Sequence, residues 1–388
     1  MDFLIDNLKF FAEINEAGAW IGWKYLVMYA AGIILIYLAI KKNYEPALLL
    51  PVGFGAILIN LPLTDFIVQI MPGVEQIYSR LYETGIEASQ LLPLLLFLCI
   101  GLMIDFGPLL SRPYYFLFGA AANFGVFFII AVSVLLGFKM NDAAAIGIAG
   151  TLDGPMTVFA ANMLKTGNTA SVLITAFLFM ALVPVIQPPV IRFLTTRKER
   201  IIHMPPFADK DVPKTVKIIF PIFVTFFIGI ISPSIVLLIG FFMLGNLIRE
   251  CTVFASLSDA AKKTLVKFIT ILLGITVAFT LNADNVIRKE TLMILGLGFI
   301  AFIINTACGV LLGKLLNIFL KNKINPMIGA AGISVFPNSA HVIQKMALKE
   351  DPKNYLLMHA VSVNVSGQIA SIAACGLVFS LVISYLAV

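Results

Sequence analysis

Apolar residues fill this chain in long runs separated by short polar ones, and the runs form two sets of similar order. In the first half they cover 24–40, 47–62, 91–105, 114–137, 143–165 and 169–191; in the second, 216–231, 234–248, 266–281, 291–319, 326–347 and 355–387. About twenty apolar residues suffice for a helix to cross a bilayer, and 117–137 and 291–313 reach that length without a charged residue. The pattern predicts an all-α polytopic membrane protein. The run 47–62 is short and holds Pro51 and Pro62, which predicts a re-entrant segment. Residues 63–90 mix polar and apolar positions, with Glu75, Arg80, Glu83 and Glu87, and predict an interfacial or external helix.

Two of the runs share one interruption. The first reads Ile146-Gly147-Ile148-Ala149-Gly150-Thr151-Leu152-Asp153-Gly154-Pro155. The second, 182 positions on, reads Ile328-Gly329-Ala330-Ala331-Gly332-Ile333-Ser334-Val335-Phe336-Pro337, and at the same offset Asn123 falls on Asn305. Val52-Gly53-Phe54 resembles Ile239-Gly240-Phe241, with Asn60 and Asn246 a few residues on, and Pro184 to Gln187 sits opposite Val365 to Gln368. These matches predict a first membrane repeat over 24–197, a polar loop over 198–213 and a second membrane repeat over 214–388. Glycine and proline take backbone groups out of the helical ladder. Interrupted hydrophobic segments at matching places in two halves point to a transporter's binding site. The predicted architecture is two inverted repeats, each with a discontinuous transmembrane helix, meeting near the midplane.

Composition fits the membrane setting: hydrophobic residues make up 60% and charged residues 12% of the chain, and the mean hydropathy is +0.98. The net charge of +6 arises from Lys and Arg in loops, at 41–42, 192–200, 210–217, 262–267 and 321–323. That is the bias that sets membrane orientation, so it predicts no nucleic-acid partner, and it marks 192–217 as cytoplasmic. The chain starts Met1-Asp2-Phe3 without a basic leader and carries Asp6, Glu13 and Glu16. Residues 1–23 therefore predict an amphipathic segment on the membrane surface rather than a cleaved signal. Cys99, Cys251, Cys308 and Cys375 are scattered, which predicts buried packing residues, not a disulfide framework or a zinc site.

Asp153 is the leading candidate for chemistry. A carboxylate at membrane depth is expensive without a partner and marks a functional site; with the carbonyls freed at the break it would form an oxygen-rich cage for a hard cation. It also has the makings of a helix N-cap before Gly154-Pro155. The second interruption has no acid. Its polar residues are Asn325, Ser334, Asn338 and Ser339, then His341. Ser334 aligns with Leu152, so it is expected to enter the same cavity from the other repeat, with Thr151, Gln187, Asn338 and Ser339 as candidate lining. Asn123 and Asn305 are expected to join helices by hydrogen bonds. Asp105 reads as an interfacial cap, Glu45 as a loop-to-helix entry, His203 as solvated and His359 as an interior histidine.

Several stretches together resemble one family. They are Lys41-Lys42-Asn43-Tyr44-Glu45-Pro46 with 48–55, Asp105-Phe106-Gly107-Pro108-Leu109-Leu110, Asp153-Gly154-Pro155, 180–189, Asn322-Lys323-Ile324-Asn325-Pro326 and Leu356-Leu357-Met358-His359-Ala360. The chain resembles the β-subunit of the sodium-pumping biotin-dependent decarboxylases over nearly its whole length from Lys41. The resemblance implies a membrane subunit that decarboxylates carboxybiotin delivered by a biotin carrier protein, consumes a proton and exports sodium ions. It implies a carboxyltransferase subunit, a small membrane-anchor subunit, a homo-oligomer (a trimer) and a place in the inner (plasma) membrane. It maps the family's sodium or proton ligands onto Asp153, Asn325 and Ser334, with Asp153 also catalytic. This chain departs from the family pattern at Thr151-Leu152, where glycine-alanine is usual, and at Phe179, where the family has tyrosine. The residues alone also fit a sodium- or proton-coupled secondary transporter of a small organic anion.

Overall fold

The computed structural model describes residues 22–61, 82–87, 90–205, 212–251 and 254–386. The segment predicted over 1–23 and most of the helix predicted over 63–90 lie outside these residues; within the latter, Glu83–Glu87 form a short π-helical turn.

The helices follow the apolar runs. In the first half they are α1 (Trp23–Lys42), α2 (Pro46–Ile59), α3 (Leu91–Met103), α4 (Pro113–Leu135), α5 (Met140–Ala149), α6 (Gly154–Met163) and α7 (Thr169–Leu194). In the second they are α8 (Lys214–Ile231), α9 (Val236–Glu250), α10 (Val266–Ala278), α11 (Lys289–Phe319), α12 (Asn338–Glu350) and α13 (Leu357–Leu386), with a 3-10 segment at Pro326–Gly332 before α12. Among the described residues seven helices are long and apolar enough to cross a membrane, and α2 and α3 are shorter apolar helices. The exposed sides of α1 and α8 carry Ile33, Ile34, Ile40, Ile222, Phe226 and Ile230, as expected of helix faces turned to lipid, where no water competes for apolar surface.

The halves interlock by exchange. α1 packs on α2 and α8 on α9, while α2 also packs on α10 and α3 on α9. Asn60, at the end of α2, donates to Leu281 O just past α10 (2.8 Å) and accepts from Ala283 N (2.7 Å). Asn246 of α9 donates to Ile104 O just past α3 (2.8 Å). The α3–α9 crossing is close: a Cβ on Gly101 would lie 2.0 Å from Phe242 O, and one on Gly245 2.0 Å from Leu98 O. Small residues let membrane helices approach to this distance, where dispersion contacts hold them without a hydrophobic drive.

Two sequence expectations change. The run 47–62 does not turn back: α2 is one continuous helix with Pro51 inside it, and the carbonyl left free by a proline is tolerated in a packed membrane helix. The interrupted runs 143–165 and 326–347 were expected to be discontinuous crossing helices, and each instead doubles back at its interruption. At the first, Asn141 near the start of α5 donates to Leu164 O and Lys165 O at the end of α6 (both 3.4 Å). Asp142 accepts from Thr166 Oγ1 and, at 3.0 Å, from Gly167 N. At the second, Asn325 donates to Arg200 O (2.8 Å) and Ile202 O (3.0 Å), while Arg200 Nε meets Glu350 Oε1 at 2.8 Å. Each interrupted segment is thus a hairpin with a pinned base. The first base lies at the start of α7 and the second beyond its end, so 26 residues of helix, roughly 39 Å, separate them.

Candidate functional site

The tips of the two hairpins meet at a cavity of about 470 Å³ whose lining includes Glu45, Asp153, Gly154, Pro155, Ser334, Asn338 and Gln368. Asp153 caps α6: its Oδ1 accepts from Met156 N at 3.1 Å and its main-chain carbonyl accepts from Thr157 Oγ1 at 2.8 Å. The residue is 3% exposed, and its Oδ2 is buried with no hydrogen-bond partner among the described residues. Half of this carboxylate is therefore held by the helix start, where the dipole favours negative charge, and half faces the cavity. The capping and functional readings of Asp153 are compatible. Leu152 just before it sits at φ 61°, a conformation that strains a bulky side chain by roughly 1–3 kcal/mol. It is fully buried, so packing holds it there. Across the hinge, a Cβ on Gly154 would lie 2.2 Å from the Phe177 ring, which keeps the start of α6 tight against α7.

From the other tip Ser334 lines the same cavity; its hydroxyl donates to Gly367 O at 3.1 Å. Asn338, at the start of α12, also lines it and donates to Glu45 Oε1. Two helix N-termini, those of α6 and α12, thus converge on one space.

The remaining candidates serve elsewhere. Asn325 accepts from Met327 N at 3.1 Å and holds the connecting loop through Arg200 O and Ile202 O. It lies at the hairpin base, about 14 Å from the tip by the rise of a 3-10 helix, and is not among the cavity-lining residues. Gln187 is fully buried, donates to Ala330 O (2.8 Å) and Ser339 Oγ (2.9 Å), and with Ser339 ties α7 to the second hairpin. Thr151 donates to Ile148 O at 2.8 Å and closes α5. Phe179 packs against Phe299, with ring centroids 6.0 Å apart, and the cavity is lined by its neighbours Phe177 and Met180 instead. His203 pairs with Asp351 at 2.7 Å. His359 is buried between Tyr115 and Pro205 O, at 2.9 and 3.0 Å. Cys99 and Cys375 are buried, whereas Cys251 and Cys308 are only partly so.

Sequence reasoning passed over two residues of the cavity lining. Glu45 was read only as a helix entry, and Gln368 had been noted only as the end of a repeat match. The available signal for Gln368 was an amide inside the apolar run 355–387.

The profile of the family described as "Na+-transporting oxaloacetate decarboxylase beta subunit" matches residues 24–382. The methylmalonyl-CoA decarboxylase subunit beta of Propionigenium modestum is 42% identical over 374 residues, covering 92% of this chain and 94% of that protein. The glutaconyl-CoA decarboxylase subunit beta of Acidaminococcus fermentans is 42% identical over 360 residues, with 93% and 94% covered. The probable oxaloacetate decarboxylase beta chain of Vibrio cholerae is 38% identical over 416 residues, with 93% and 96% covered. The match runs through every helix named above, and the chain is a multi-pass membrane protein that belongs to the β-subunit family of the sodium-transporting decarboxylases.

Proposed function

We propose that this decarboxylase subunit releases carbon dioxide from carboxybiotin presented by a separate carrier protein and couples that step to sodium export, a proton being taken up at the same site. The observation that carries the reading is the half-satisfied carboxylate of Asp153 at the meeting point of two hairpins. Carboxybiotin is an N-carboxylate. Loss of carbon dioxide leaves nitrogen with an electron pair, and one proton completes the product. An acid that holds either a sodium ion or a proton links the two events, since the proton it gives up to biotin leaves a carboxylate for the next ion. Asp153 Oδ2 is free for either partner, and the Met156 N–H steadies the other oxygen in both states. The helix starts at Gly154 and Asn338 favour an anionic group entering the cavity, which suits a carboxylate substrate. Moving one charge against 100 mV requires about 2.3 kcal/mol, so the ion and the proton must not leak past each other.

Inverted repeats are part of this reading. Asn60 and Asn246, matched in sequence, make the same contact across the halves, and the two hairpins are based at opposite ends of α7. Five crossings per half, with each hairpin returning to its own side, would set the halves antiparallel and let the cavity open to alternate faces. The carrier protein, a carboxyltransferase subunit, a small membrane anchor and a homo-oligomer, a trimer by the resemblance, complete the proposed assembly. Within it Asp153 is the catalytic and ion-exchanging residue and Ser334 a ligand. Asn325 is proposed to act through the hairpin base.

The test is decarboxylation of free carboxybiotin by the reconstituted complex, with and without sodium. Asp153→Asn is expected to abolish the sodium-dependent rate. A variant that keeps a substantial sodium-stimulated rate removes Asp153 from the mechanism.

A further inference from the structure

Three cavities lie along one face of α7. Toward the end of that helix the Asp153 cavity adjoins a space of about 410 Å³, and Glu45 and Asn338 line both. Toward its start lies a third space, of about 950 Å³, whose walls include Tyr82, Asn162, Lys165, Thr169, Thr280 and Arg288. This third space has no lining residue in common with the Asp153 cavity, yet both belong to one cleft. On α7, Ala170 lines the third space and Phe177 the Asp153 cavity; with Leu173 between them the spacing is three and four residues, so they share a face. On α6, Gly154, Val158 and Asn162 repeat this at four-residue spacing. Val158 and Leu173 are buried in one apolar cluster, with Leu92 and Leu95 of α3 packed against it. These side chains divide the cleft, and from Ala170 to Phe177 the helix rises about 10 Å. A dry apolar constriction of that depth stops an ion. Asn162 fastens it from outside the cluster: its Nδ2 donates to Ile86 O (3.0 Å) and Glu87 O (2.9 Å). The end of the first hairpin is thereby tied to the turn at Glu83–Glu87, which packs on α3.

From this arrangement we infer that the space at the start of α7 is the release chamber of the exported cation, and that Asn162 keeps the apolar partition in front of it closed. The inference rests on the reading of Asp153 as the ion-exchanging carboxylate. Its direction comes from the Lys- and Arg-rich stretch 192–217, which puts the end of α7 in the cytoplasm and its start outside. The chamber's chemistry suits release rather than capture. Lys165 and Arg288 outnumber the single acid, Glu87, among its lining residues, whereas the cavity behind the partition holds the half-satisfied carboxylate of Asp153. A cation is held on the near side and repelled on the far side, so the lining itself favours outward passage. Gln90 Oε1, buried without a hydrogen-bond partner among the described residues, offers the passing ion a neutral oxygen. Parting α6 from α3 opens the partition, and that movement breaks both Asn162 hydrogen bonds.

The test uses the complete complex reconstituted in liposomes and follows radioactive sodium and carbon dioxide together. Asn162→Leu keeps the volume and removes the donor. It is expected to raise the passive sodium leak per complex, measured without carboxybiotin, about fivefold to tenfold, the change in an opening equilibrium that two membrane-interior hydrogen bonds represent. The sodium moved per carbon dioxide released should fall with it. A merely structural Asn162 would change the yield of folded complex and leave both ratios as in wild type, which overturns the inference. Lys165→Glu, at an exposed position, tests the chamber itself and does not depend on the partition. It is expected to lower, about threefold or more, the outer-side sodium concentration that halves turnover, because the chamber then retains the ion. Wild-type inhibition in Lys165→Glu also overturns the inference. If wild-type vesicles accumulate sodium and these variants behave as wild type, this inference alone fails. If wild-type vesicles release carbon dioxide without accumulating sodium, the functional reading beneath it fails.

Discussion

Asn123 and Asn305 occupy matching places in the two halves, yet removing them should have unequal consequences. Asn305 Oδ1 accepts from Gly125 N at 2.9 Å, and its Nδ2 donates to Gly150 O at 2.7 Å. It bridges α4, just past the interruption at Asn123 between its segments Phe116–Ala122 and Phe124–Leu135, and the tip of the first hairpin. Gly125 follows the break at Asn123, so its N–H belongs to the first turn of a helical segment and has no partner within it. Among the described residues Asn123 Nδ2 donates only within its own helix, to Gly119 O at 2.8 Å. That carbonyl also accepts from Asn123 N, so it keeps a partner when the side chain is lost. Hydrogen bonds inside membrane proteins average roughly 0.6 kcal/mol and reach about 1.7. Asn305→Leu, similar in volume and lacking both bonds, should cost about 1–3 kcal/mol, and Asn123→Leu about 0.6 or less. Fluorescence-detected size exclusion after heating ranks the two by the temperature of half-loss. Asn305→Leu should fall several degrees below wild type and lose sodium-dependent decarboxylation with it. An Asn123→Leu protein as labile as Asn305→Leu would refute the reasoning.

Two further outcomes follow from packing and charge. On α11, a Cβ at Gly309 would lie 2.1 Å from Gly329 O, whereas one at Gly296 would meet nothing within 4 Å; Gly309→Ala should therefore lose about 1–3 kcal/mol or more by forcing backbone apart, and Gly296→Ala should be neutral or gain up to about 1 kcal/mol, read by the same heating assay. At the end of α3, burial opposes the charge of Asp105, but Gly107 N–H, Arg249 and Lys217 together hold its carboxyl below the ordinary 3.8. The lowered value means that its stabilisation is present above the ordinary value and is lost as pH falls through the folded one. Asp105→Asn should be less heat-stable than wild type at pH 7, and the gap should narrow below about pH 3.8.

Much of the architecture was legible because the bilayer imposes it. Apolar runs must become helices when no water can satisfy the backbone, and all twelve runs correspond to helices or hairpins. Asp153 was legible for the same reason, as an acid beside Gly154-Pro155 in an apolar setting. What escaped was set by pairings remote in sequence. Doubling back depends on Asn141 finding Leu164 O and on Asn325 finding Arg200 O, and neither contact leaves a local signature. Asn325 before Pro326 reads locally as a helix start, which it is, and only the family resemblance made it an ion ligand, while its amide faces the connecting loop. Gln368 entered only through a repeat match, because its sequence context does not reveal that its donor end meets Ser334 O and that it lines the cavity.

The second hairpin also bears on how the protein is made. α12, reading Asn-Ser-Ala-His-Val-Ile-Gln-Lys-Met-Ala-Leu-Lys-Glu over Asn338–Glu350, is far too polar to enter lipid unaided. Its apolar face, with Val342, Ile343 and Met346, is buried, and it packs against α7 and α13. α13 is the last of these helices to leave the ribosome. Until it emerges α12 lacks one of the helices it packs against, so the second hairpin and the cavity at its tip are completed only after the earlier helices have already been inserted.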